Sequence, residues 1–310
     1  MKPHELIKKF LSDNVFSAGT LAMYKFSLDK FFLWVHDRRK TFEKLTRGDI
    51  IEYKKYLEAD RKLADDTVRN YFAAVKSFFL WIENNDMGHN LTRGIVKIDY
   101  KNAIKKQYLS QEQCQRLFNS MDRSTEMGRR DLALIYLMVN SGIRRMEAQL
   151  LNYEDLRKRE DGVYYIMVKT KGNIRAKDSQ KISERAYYLI MSYLRKKELP
   201  LEPTSPIFTT LNRSTSGERI ALQTISRMVK KRLEAIGLTG HQYCCHSLRH
   251  TAASQLVEKN IPIGQIKRFL RHKSELTSKL YTHLVDEKKF EENNPQDILG
   301  DQYDIPDDLD

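Results

Sequence analysis

The stretch HSLRHTAASQL, from His246 to Leu256, puts a histidine and an arginine three residues apart at the head of a small and apolar run. In a helix His246 and Arg249 would share one face, because side chains at i and i+3 are neighbours there. A basic pair so placed can grip a phosphate or can be ordinary surface charge. The segments before and after it decide between the two.

Downstream, FLRHKSELTSKLYTHL sets His272 nine residues ahead of Tyr281 and adds His283. Upstream, LMVNSGIRRMEAQLLNYEDL offers a turn at Gly142, then Arg144, with Glu147 one helical turn further on. Between them lies GVYYIMVKTKGNIRAKDSQKI. Its alternation and its β-branched and aromatic content predict a hairpin over about residues 162–182, turning at Lys171-Gly172-Asn173. Helices are predicted at ERAYYLIMSYL, LQTISRMVKKRLEAIG and LRHTAASQLVEK, and Ser110 with Glu112 and Gln113 just behind it predicts a capped helix start. No GxxxxGK[ST] phosphate loop occurs. Taken singly, these features are bland: an arginine on a helix surface, a solvated lysine in a turn.

The first hundred residues read as helices with an internal echo. TLAMYKFSLDKFFLWV (from Thr20) aligns with TVRNYFAAVKSFFLWI (from Thr67) at an offset of 47, sharing Thr, Tyr and Phe-Phe-Leu-Trp. In the second copy Val68, Tyr71, Phe72, Val75, Phe78, Phe79 and Ile82 recur at helical spacing, and Thr20 and Thr67 stand where N-caps belong. A third helix is expected in TRGDIIEYKKYLEADR with Ile50, Tyr53 and Leu57 inward. The aromatic stripes are read as core. Lys25, Lys30, Arg69 and Lys76 fall on the polar faces, and Lys101, Lys105 and Lys106 make the following linker basic; all seven are candidates for contact with a nucleic-acid backbone. The loss of periodicity after Gly88 and Gly94 puts a domain boundary near Lys105.

Of 310 residues, 41% are hydrophobic and 31% charged, a soluble balance, and no run of eighteen apolar residues points to a membrane span. The start has no signal-peptide pattern. Cys114, Cys244 and Cys245 are poor material for disulfides or for a zinc site and fit a reducing cytoplasm. The formal charge is +13, although residues 286–310 hold ten acidic side chains against Lys288 and Lys289, so the body is more basic still. A basic body implies a polyanionic partner, since each neutralised phosphate releases counterions.

In their order and spacing the four segments resemble the tyrosine recombinases, the phage-integrase and Xer-type family. SGIRRMEA is similar to its first-arginine motif, TKGN to its hairpin lysine and HSLRHTAAS to its His-x-x-Arg motif. LRHKSELTSKLYTH is similar to its terminal His-to-Tyr motif, and the 23 residues from Arg249 to His272 also fit. The resemblance spans about residues 109–284 and implies catalytic roles for Arg144, Lys171, His246, Arg249, His272 and Tyr281, with Glu147 supporting them. Arg271 departs from the pattern, standing where glycine is usual. Thr170-Lys171-Gly172 replaces Gly-Lys-Gly and leaves Lys169 as a rival to Lys171. The implied fold is mainly α, a C-shaped DNA clamp: a helical, SAM-like core-binding domain over 1–104, then a mainly helical catalytic domain with a small antiparallel hairpin or sheet over 105–285. The acidic tail over 286–310 would solvate the chain, dock on a neighbouring protomer or shield the basic groove.

The residue types suit phosphodiester chemistry. Tyr281 can supply a covalent nucleophile, and Arg144 and Arg249 offer planar forks whose charge does not titrate. His246 and His272 can donate hydrogen bonds or trade protons, and Lys171 can protonate a leaving 5′-oxygen. The resemblance therefore implies a site-specific recombinase acting on double-stranded DNA with inverted-repeat core sites, through a 3′-phosphotyrosine and a Holliday junction, as a homo-tetramer on two duplexes. No cofactor, metal or ATP is expected, accessory factors stay open, and the location is expected to be the cytoplasm, at the nucleoid. The helical pattern begins close to the first residue, which favours an Xer-like or small mobile-element enzyme over one with a preceding arm-binding domain. A type IB topoisomerase, a non-catalytic DNA-binding regulator and an RNA-processing phosphodiesterase remain competing readings.

Overall fold

The computed structural model describes residues 3–59, 63, 65–95, 107–170, 173–196, 201–211 and 216–271. The chain divides into two compact units, Met1–Ile104 and Lys105–Asp310, each with its own hydrophobic core. Among the described residues no helix is long and apolar enough to cross a membrane.

The first unit is helical: α1 (Pro3–Asp13), α2 (Ala18–Asp37), α3 (Arg47–Ala59) and α4 (Asp65–Asn84), with a short 3-10 turn at Phe42–Lys44. The two echoing segments form α2 and α4, which pack on one another. Their shared Phe-Phe pairs interlock: Phe31 meets Phe79 at 6.1 Å and Phe32 meets Phe78 at 5.7 Å between ring centroids, both edge-on. Edge-on contacts of this kind are worth about 0.5–1.5 kcal/mol beyond burial. Trp34 and Trp81 are buried in the same core, as are Ile50, Tyr53 and Leu57 of α3. The caps differ from the expectation. Ser17, not Thr20, caps α2, accepting the Thr20 N–H at 3.3 Å, and Thr67 lies inside the first turn of α4. A serine three residues upstream already satisfies the orphan N–H.

The second unit runs α5 (Gln111–Asn119), α6 (Glu126–Ser141), α7 (Arg145–Gln149), β1 (Leu156–Lys158), β2 (Tyr164–Thr170), β3 (Asn173–Lys181), α8 (Glu184–Arg195), α9 (Leu222–Glu234), α10 (Cys245–Glu258) and α11 (Ile263–Leu270). Ser110 caps α5 as its sequence predicts: its Oγ accepts the Gln113 N–H at 3.1 Å, and Gln113 Oε1 accepts the Ser110 N–H at 2.9 Å. Helix α6 is the central post, with Leu132, Ala133, Leu134, Ile135, Leu137 and Met138 all buried, and it packs against α7, α8, α9 and α10. A helix apolar on nearly every side must sit in the middle of a core.

The hairpin forms from β2 and β3, antiparallel, with β1 added on the far edge of β2. Ile166 and Val168 face the core, while Tyr165, Met167 and Lys169 alternate onto the other face, half-buried. The register breaks between Lys169, opposite Lys177, and Thr170, opposite Asn173.

Candidate active site

Helix α10 carries the opening stretch. Ser247 fixes its start, accepting the Cys244 N–H at 3.1 Å and donating to the Gln242 carbonyl at 2.8 Å. Thr251 donates to the Ser247 carbonyl at 2.8 Å and accepts the Leu109 N–H at 2.9 Å, tying α10 to the segment before α5. With α10 formed, His246 and Arg249 do stand one turn apart. His246 is exposed in the first turn, and its ring lies edge-on to that of His250 at 4.4 Å. Arg249 is buried, only 2% exposed. Its two terminal nitrogens donate to the carbonyls of Gly142, at the end of α6, and Leu270, at the end of α11.

Gly142 makes that junction possible. It adopts a left-handed conformation (φ 59°, ψ 19°), and a Cβ there would lie 2.8 Å from Leu270 Cδ2 and 3.0 Å from Phe269 Cε1. Two residues on, Arg144 precedes α7 with an extended backbone and Glu147 occupies the third helical position. Glu147 Oε2 accepts the Arg144 N–H and Oε1 accepts Arg144 Nη1, both at 2.8 Å. Oε2 also accepts Arg271 Nη2 at 2.6 Å. The carboxylate is 4% exposed, whereas the Arg144 side chain keeps 38% of its surface open. Burial pushes the Glu147 carboxyl up, but the Arg271 charge and the Arg144 hydrogen bonds outweigh it and hold the group below the usual carboxylate range.

The fold thus brings Arg144, Glu147 and Arg249 around one junction of α6, α7, α10 and α11, although Arg144 and Arg249 lie 105 residues apart in sequence. Lys171, His272 and Tyr281 lie outside the described residues, as do Lys101, Lys105, Lys106 and His283. Lys169 is placed on β2 opposite Lys177, which is itself engaged by Asp155 at 2.5 Å and Glu154 at 3.2 Å. In the first unit Lys25 pairs with Asp29 at 2.8 Å and Arg69 with Asp66 at 2.6 Å, all four substantially exposed. Lys30 leans over the Phe26 ring, and Lys76 donates to the Ile95 carbonyl at 2.8 Å. Burial pushes the Cys114 and Cys245 thiols up to about 11, in keeping with their reading as small packed groups, while Cys244 is half-buried. Among the described residues no three His, Cys, Asp or Glu side chains cluster as a metal site would require. Arg271 was seen in the sequence only as a departure; its link to Glu147 is a tertiary contact that no local pattern signals.

Residues 107–288 match the profile of the phage integrase family, and residues 7–89 that of its N-terminal SAM-like domain. The chain belongs to the phage integrase family. Tyrosine recombinase XerC of Thermodesulfovibrio yellowstonii is 31% identical, the match covering 86% of this chain and 86% of that protein. Tyrosine recombinase XerC of Caldanaerobacter subterraneus subsp. tengcongensis is 26% identical over 94% of this chain and 85% of its own. Two solved structures share the fold. A XerH site-specific recombinase bound to palindromic difH substrate has a TM-score of 0.72 at 21% identity, over 87% of this chain and 78% of that one. A lambda integrase dimer bound to a COC′ core site has a TM-score of 0.66 at 17% identity, over 91% and 95%.

Proposed function

We propose that this chain is a site-specific DNA recombinase that cuts and rejoins strands through a 3′-phosphotyrosine on Tyr281. The convergence of Arg144 and Arg249 on one junction carries the reading, since two non-titrating guanidiniums are what a phosphodiester needs as its oxygens gain charge. The Tyr281 hydroxyl attacks phosphorus and passes its proton to a basic group, His246 or His272. The bond from phosphorus to the 5′-oxygen breaks, and Lys171 protonates that oxygen. The 5′-hydroxyl of a second strand then attacks the phosphotyrosine, reversing the step and releasing the tyrosine. Bond energy is kept in the phosphotyrosine, so no ATP is required, and the arginines supply the positive charge a metal would otherwise bring.

The helical first unit serves as the core-binding domain, with Lys25, Lys30, Arg69, Lys76, Lys101, Lys105 and Lys106 toward the DNA backbone, and the second unit as the catalytic domain. Exchange of two strand pairs through a Holliday junction calls for a homo-tetramer on two inverted-repeat sites, in the cytoplasm at the nucleoid. The acidic tail docks on a neighbouring protomer through Phe290, Ile298, Leu299, Tyr303 and Ile305. A pocket of about 360 Å³ among α5, α6, α10 and α11 mixes apolar Phe118, Tyr136 and Phe269 with polar Gln255, Glu258 and Lys259, a seat for a segment that is itself part apolar and part polar. The similarity to XerC proteins makes resolution between two identical sites the first arrangement to test, ahead of integration or excision of a mobile element.

Covalent trapping tests the reading. Nicked suicide duplexes, drawn from DNA flanking the gene or from a random-sequence library, are incubated with wild type and with Tyr281→Phe and run on a denaturing gel. A shifted band in wild type alone, with DNA binding retained by Tyr281→Phe, is the expected result. An adduct that survives Tyr281→Phe sinks the assignment of the nucleophile, and release of free product without an adduct favours a phosphodiesterase.

A further inference from the structure

Arg271 closes α11 in the left-handed conformation (φ 52°, ψ 47°), a backbone state strained for any residue with a Cβ. Its side chain is nine-tenths buried. Nη2 donates to Glu147 Oε2, the same oxygen that takes the Arg144 N–H, while Arg144 Nη1 holds Oε1. Arg271 Nε and Nη1 are buried with no hydrogen-bond partner among the described residues. The carbonyl one residue earlier, on Leu270, is one of the two that Arg249 grips. A continuous path therefore joins the two arginines, from Arg249 through the Leu270 peptide to Arg271, then Glu147, then Arg144.

Charge counting gives this path a purpose. With Glu147 alone, Arg144 would form a closed, neutral pair with little attraction left for an anion. A second guanidinium on the same carboxylate leaves the trio net positive. Two donors with no acceptor among the described residues are costly on a buried guanidinium unless charge or a ligand uses them.

We propose that Arg271 is a positioning residue for the strand-transfer step, sharing the Glu147 carboxylate so that Arg144 keeps uncompensated charge for the phosphate to be cut. The inference rests on the recombinase reading above. Glycine at this position would relax the backbone and remove the guanidinium, so Arg271→Gly folds and tests the charge directly.

The experiment takes the full chain as wild type, Arg271→Gly, Arg271→Gln and Arg271→Lys. Wild type first selects an adduct-forming duplex from a random-sequence nicked library. That duplex is then made with an ordinary phosphate and with a neutral methylphosphonate at the cleaved position. On the phosphate, single-turnover adduct formation by Arg271→Gly and Arg271→Gln falls by about 10–100-fold, the scale of one lost electrostatic donor, with duplex affinity unchanged. Arg271→Lys recovers part of the rate. On the methylphosphonate the deficit largely disappears, because no phosphate charge remains to be compensated. Wild-type rates in Arg271→Gly and Arg271→Gln overturn the inference, as does an equal deficit on both duplexes, which would mark a merely structural role. Adducts formed equally by all the proteins overturn this inference alone. Failure of wild type to form an adduct with any library duplex that it binds overturns the recombinase reading, and this inference with it.

Discussion

Glu147 shows how much one side chain can hold together. It is buried, yet the Arg271 charge and three hydrogen bonds keep it ionised. A carboxylate whose folded pKa lies below its unfolded value adds stability that is present in full above the ordinary Glu value of 4.5 and lost as pH falls through the folded value. Glu147→Gln removes that titration and strands the Arg271 charge without its counter-ion, which costs on the order of 3 kcal/mol at neutral pH. Urea unfolding of both proteins across pH checks this. The gap between wild type and Glu147→Gln should be constant near neutrality and narrow as pH drops below 4.5. A gap that stays flat into acid would mean that Glu147 is not the ionised group in this junction.

At the scale of elements, the junction depends on Gly142, where the chain after α6 comes close to Leu270 and Phe269 of α11. Gly142→Ala sets a methyl 2.8 Å from Leu270 Cδ2 on a backbone at φ 59°. Overpacking and the left-handed backbone together cost about 2–4 kcal/mol. Because the Gly142 carbonyl also receives Arg249, the substitution should slow adduct formation as well as lower the urea midpoint. A stable variant with wild-type cleavage would show that the α6–α11 contact is slack. Much of this scale was legible in the sequence. The interlocked Phe-Phe-Leu-Trp copies, the inward Ile50, Tyr53 and Leu57, the hairpin and the i, i+3 spacing of His246 and Arg249 all follow from periodicity. What was not legible has physical reasons. Strand β1 is only Leu-Arg-Lys, too short to alternate, and exists by pairing with β2. Ser17 outcompeted Thr20 as a cap because it sits where the N–H needs an acceptor. The left-handed arginine at the end of α11 is held by a carboxylate 124 residues away, a contact that no window of local sequence contains.

For the whole molecule the charge distribution sets the decisive experiment. The chain is net positive by thirteen although its last 25 residues, 286–310, hold ten acidic groups, interspersed with Phe290, Ile298, Leu299, Tyr303 and Ile305. Apolar residues are not needed for solvation alone, and they would suit the docking on a basic neighbour proposed above. That proposed docking would close a ring by symmetry, with each protomer giving and receiving one contact. Truncation after Glu287 should therefore abolish cooperative filling of a duplex bearing two inverted half-sites. It should leave affinity for a single half-site intact or slightly tighter, since the shortened chain is more positive and binds phosphates more strongly at low salt. Titrations of one-site and two-site duplexes at two salt concentrations separate the cases. Lost cooperativity with intact single-site binding supports docking. Unchanged cooperativity with tighter single-site binding would mean that the acid shields the DNA-binding surface, and no change in either would leave the tail a solvated extension.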